Sequence, residues 1–161
     1  MKKILAAVAA LLITAVCVSA QTSRSLYKKY SGQKGVSAVY ISPAMFRLIG
    51  HIPDIEMNDG DVNLSPIIRS LSGMYILNTE DSVIGDKIIS DVEKLLDAGN
   101  FELLMEASEE GELTRMFTVG DDRSVKSFVL LAIEPDETSF ISFEGDIPRS
   151  EFEKVVAGAA Q

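Results

Sequence analysis

The chain has 161 residues, 47% of them hydrophobic, and a net charge of −9, which is enough for one ordinary domain with its own core. With 15 basic against 24 acidic side chains, it lacks the cationic footprint that sequence-independent nucleic-acid binding requires. One cysteine, Cys17, and one histidine, His51, exclude a disulfide framework and a multi-histidine metal site.

Met1 to Ala20 reads as a secretory signal peptide. Lys2 and Lys3 supply the positive start, Ile4 to Val18 is apolar, and Val18-Ser19-Ala20 precedes a cut ahead of Gln21. The apolar run is shorter than the roughly 20 residues that span a bilayer. Lipid attachment at Cys17 is the lesser alternative, because Val16 and Thr14 stand where a lipobox wants a small residue and a leucine. The expected product is exported to the periplasm or cell envelope, with at most peripheral membrane contact. Residues 21–161 then form a single domain with 13 basic against 24 acidic side chains and no cysteine.

In chain order, Ser23 to Ser31 has Leu26 and Tyr30 on one helical face, with Gly32 as its stop. Arg24, Lys28, Lys29 and Lys34 make this end locally basic. Val36 to Ile41 is a strand rich in β-branched residues. Ser42-Pro43 and Ser65-Pro66 each open a short helix. Between those helices lies a loop, 51–63, with acids at Asp54, Glu56, Asp59 and Asp61. Gly73 to Leu77 is a strand, and Ile88, Val92, Leu95 and Leu96 mark the buried stripe of the longest helix, which ends by Gly99.

Four strands then follow with short turns, from Phe101 to Glu144. If Ala107 pairs with Leu113 across the Glu109-Glu110-Gly111 turn, Leu103 faces Phe117 and Phe101 faces Val119. Met105 joins this core side, and the other side carries Leu104, Thr114, Met116 and Thr118. Val125 to Ile133 is the most apolar stretch. Val125, Val129, Leu131 and Ile133 point one way, and Phe128, Leu130 and Ala132 point the other. A strand with one solvated face should alternate apolar with polar, so both faces of this one are expected to be covered. A last helix opens near Pro148 with capping-box spacing at Ser150 and Glu153. This order predicts an α+β, two-layer domain, mainly an antiparallel sheet with helices mostly on one face.

Leu104, Met116, Phe128 and Leu130 are the candidate interaction face. Either the 51–63 loop or a terminal helix covers them, or they serve a protein or lipid partner or self-association. Catalytic chemistry has thinner support. No Gly-x-Ser-x-Gly elbow accompanies His51, and Ile55 and Met57 fall where an EF-hand loop needs oxygen ligands. The carboxylate pairs Glu80-Asp81, Glu109-Glu110 and Asp121-Asp122 all sit at predicted turns. No catalytic residue, metal ligand or cofactor is assigned.

Tyr40-Ile41-Ser42, Phe101 to Glu106, Phe128-Val129-Leu130-Leu131 and the closing Ile141 to Ile147 resemble the domain-of-unknown-function 4252 family of small exported or lipid-anchored Bacteroidetes proteins. The resemblance spans nearly all of residues 21–161. It implies an envelope location and a regulatory or stress-linked role, and it brings no catalytic residues. The context of Cys17 departs from the lipobox that many relatives carry. The expectation is therefore a non-catalytic binding module using an apolar sheet face. A carboxylate-dependent hydrolase of unrecognised type and a structural or stress-regulatory subunit of an envelope assembly are the alternatives.

Overall fold

The computed structural model describes residues 22–49 and 65–159. The expected signal peptide, Cys17, His51 and the expected acidic loop at 51–63 lie outside the described residues. The elements in order are α1 (Ser23–Tyr30), β1 (Val36–Ile41), α2 (Pro43–Ile49), α3 (Ser65–Ser70), β2 (Leu71–Thr79), α4 (Ser82–Ala98), β3 (Glu102–Glu109), β4 (Glu112–Gly120), β5 (Ser124–Ile133), β6 (Thr138–Pro148) and α5 (Arg149–Ala159). The strands form one antiparallel sheet in the order β1-β2-β6-β5-β4-β3. The chain is thus an α+β domain in which β3 to β6 form a meander, and β2 is recruited to the side of β6.

Helices α1 and α4 show their local causes. Thr22 caps α1 through a reciprocal capping box with Ser25. Asp81 caps α4 by accepting the Val83 and Ile84 N–H groups at 3.0 and 3.1 Å. Gly99 ends α4, and Asn100 takes the left-handed turn at φ 52°, so that the Phe101 N–H returns to the Leu96 carbonyl. Gly85 lets α4 lie close on the sheet, since a Cβ there would come within 2.6 Å of Thr138 Oγ1.

The first face of the sheet carries the main core. Leu77, Val129, Leu131 and Phe140 pack against Leu26 and Tyr30 of α1 and against Ile88, Val92, Leu95 and Leu96 of α4. Burying each such aliphatic side chain stabilises the fold by about 1.5–3 kcal/mol. Asp91 ties the two helices together. Lys29 Nζ and Tyr30 Oη bind its Oδ2, and Lys94 Nζ binds Oδ1 at 3.0 Å. Burial opposes the charged carboxylate, but the hydrogen bonds from Lys29, Lys94 and Tyr30 outweigh it and hold the Asp91 pKa down at about 2.

A second, smaller cluster lies at one end of the opposite face. Phe46 of α2, Leu71, Val125 and Ile147 are buried there, with Ile67 and Ile68 of α3 and Phe152 of α5 beside them. The helices therefore divide between the faces: α1 and α4 blanket one, while α2, α3 and α5 close one end of the other.

Two bulges correct the expected alternation. The β5–β6 register shifts between Val125 and Ser127, which moves Val125 away from Val129 and into the second cluster. In the β3–β4 hairpin, Ala107 pairs with Thr114 and Ser108 with Leu113, one step from the expected pairing. The register then shifts between Leu103 and Met105, so Leu103 still meets Phe117. Met105 pairs with Met116 and so changes sides, and Leu104 is left at the bulge without a cross-strand partner. The turn itself places Glu110 and Gly111 at φ 48° and 94°, the left-handed pair that a two-residue hairpin needs.

Candidate interaction face

The second face of the sheet is ordered in three rows that run across the strands. The first row is Ile41, Met74, Phe143, Phe128, Thr118 and Glu102. Its apolar members lie under the short helices: Phe128 contacts Phe143 and Phe152, with ring centroids 6.2 and 6.1 Å apart. The next row is Val39, Ile76, Ile141, Leu130, Met116 and Met105, each the direct partner of the one before. All six are apolar. The third row is Ser37, Asn78, Ser139, Ala132, Thr114 and Ala107, which is small and largely polar.

The middle row is an apolar rib between the helix-covered row and a polar margin. At a strand spacing of about 4.8 Å it runs for about 24 Å. Its four inner members are half-buried, and its ends are more open, with Val39 44% and Met105 41% exposed. Beside it, Asn78 Oδ1 is buried with no hydrogen-bond partner among the described residues.

Of the residues singled out in the sequence, Met116 and Leu130 come together as neighbours in this rib. Phe128 sits one row over, under α5. Leu104, 49% exposed at the bulge, is outside the rib, and Met105 takes the place assigned to it. Val39, Ile76, Ile141 and Met105 complete the rib and were not anticipated as members. Val39 and Ile76 depend on β2 pairing with β6, a long-range contact that leaves no local trace in sequence.

The described polar groups mostly serve the fold. Asp81 caps α4, and Asp121 Oδ1 accepts the Arg123 and Ser124 N–H groups. A recess of about 300 Å³ beside that turn is lined by Glu102, Asp121, Asp122 and Arg149, among others. Arg149 Nε there donates to the Asp121 carbonyl at 3.0 Å. On the first face, burial pushes the Glu144 carboxyl up, and the Ser23 hydroxyl and the Arg24 charge offset part of that. Burial and the Glu144 charge in turn raise the Tyr75 hydroxyl. Tyr40 stacks on Tyr75 with centroids 5.1 Å apart. No group of three or more His, Cys, Asp or Glu side chains among the described residues is placed to hold a metal ion. No helix among them is long and apolar enough to cross a membrane.

The family model for DUF4252, a domain of unknown function, matches residues 29–155. The chain belongs to the DUF4252 family. The matched span holds the whole six-stranded sheet of this DUF4252 domain, and with it the rib. No curated protein and no solved structure matches the chain.

Proposed function

We propose that this DUF4252 protein is a non-catalytic interaction module of the cell envelope that seats a protein partner on the rib Val39–Ile76–Ile141–Leu130–Met116–Met105. One observation carries the reading: six apolar side chains lie in register across all six strands, on a face where, among the described residues, the helices pack on the adjoining row. A contiguous apolar strip rimmed by polar residues is the usual mark of an interaction surface. Met1 to Ala20 supports export. A carboxylate-dependent hydrolase is less favoured, because Asp81 and Asp121 are engaged in a helix cap and a turn.

The test is mild crosslinking and affinity capture from the native envelope, comparing wild type with Met116→Ser/Leu130→Ser. Phe128 is left intact because it supports α5. The reading predicts a partner, either another envelope protein or a second copy, that is captured by wild type and lost by a variant with a near-native melting temperature. Equal capture by a folded variant contradicts it.

A further inference from the structure

The outer edge of β3 goes beyond the rib and stands on a different observation. β3 is the last strand of the sheet and pairs only with β4 among the described residues. All eight of its residues are exposed, including Leu103 at 54% and Leu104 at 49%. Its outward N–H and C=O groups form a ready template for another strand.

The strand's charges decide what can use that template. Glu102, Glu106 and Glu109 are three carboxylates in eight residues, and β3 contains no basic side chain. Arg115 of β4 pairs with Glu106 at 2.8 Å. Among the described residues, no ion pair reaches Glu102 or Glu109. A second copy added antiparallel about the strand centre would set Glu102 against Glu109 twice, and a parallel copy would set each glutamate beside its twin. Like charges placed opposite each other destabilise a strand pair, so the edge disfavours its own kind. The opposite edge, β1, has the sequence Val36-Ser37-Ala38-Val39-Tyr40-Ile41 and no charge with which to make that distinction.

We propose that β3 is a strand-addition edge for an extended segment of another protein whose side chains alternate between apolar residues and lysine or arginine. The backbone ladder supplies the adhesion, and Leu103, on the same face as its partner Phe117, meets the added strand's apolar side chains, while its lysines or arginines lie on the opposite face with Glu102 and Glu109. Glu102 and Glu109 select the cationic partner.

The experiment titrates the purified chain with three labelled peptides of about ten residues, enough to span a long strand. One alternates valine with lysine, one carries glutamate in place of lysine, and one keeps the lysines but is interrupted by proline. Fluorescence anisotropy reads affinity, and amide hydrogen exchange reads the location. The lysine peptide should bind at least about tenfold tighter than either control, a difference of about 1.4 kcal/mol. It should also protect amides within Glu102–Glu109, and the Glu102→Lys/Glu109→Lys variant should invert the charge preference. Four results overturn the proposal: no binding, equal binding of the glutamate peptide, equal binding of the proline-interrupted peptide, or protection confined to another part of the sheet. If the charge-reversed variant fails to fold, the proline comparison on wild type decides. The rib reading survives any of these results, because none of the peptides tests Met116 or Leu130.

Discussion

The two faces of the sheet are built from the same strands and finished differently. On the first face Leu77, Phe140, Val129 and Leu131 are essentially inaccessible beneath α1 and α4. Their chain neighbours Ile76, Ile141, Leu130 and Ala132 are no more polar, yet they remain half-buried on the second face. Hydrophobic composition alone therefore does not make a core. A strand face becomes core when this chain supplies a second layer, and the rib has no such layer among the described residues.

Unequal truncation costs would sharpen that comparison most. Phe140→Ala removes a fully buried ring and should cost about 3–5 kcal/mol in denaturant unfolding. Ile141→Ala, one residue along, should cost less, about 1–2 kcal/mol, because part of that side chain already meets solvent. Equal losses would break the distinction between the faces.

Asp91→Asn tests the layer that α1 and α4 provide. The carboxylate is held at about 2, below the ordinary value of 3.8, so its stabilisation is complete above about pH 4 and drains away as the pH falls toward 2. The variant should lose about 1–3 kcal/mol at neutral pH, with wild type and variant converging as the solution is acidified. A constant gap down to pH 2 would show that the carboxylate's charge is not the source.

Glu144→Gln should give the smallest effect, with the opposite sign. Burial raises this carboxyl, so keeping it ionised costs the folded state stability above its pKa, and protonation relieves that cost. The variant should be slightly more stable than wild type at neutral pH, and the gain should fade on acidification. A variant less stable at neutral pH would show that the Ser23 and Arg24 interactions outweigh burial.

Much of this architecture is readable in the residues. The α4 stripe, the Ser-Pro helix starts and the Leu103–Phe117 pairing all follow from spacing and turn chemistry, because each is a local rule. What stayed hidden was non-local. The bulge at Leu104 is invisible to a rule of alternation, yet it moves Met105 to the other face and takes Leu104 out of the rib. The bulge next to Lys126 does the same to Val125. Met116 and Leu130 were legible as part of an apolar second face, but the rib they belong to requires β2 beside β6, a pairing more than sixty residues apart in the chain.

The most direct measurement is thiol labelling of Leu130→Cys and Leu131→Cys in a Cys17→Ser background, first on the purified chain and then in the native envelope. These adjacent positions lie on opposite faces, and residue 131 is buried in the main core. The account predicts rapid maleimide labelling at position 130 and slow labelling at 131 in the purified chain, with position 130 becoming protected in the envelope where its partner is present. Equal protection of both in the purified chain, or equal labelling of position 130 in both settings, would contradict it.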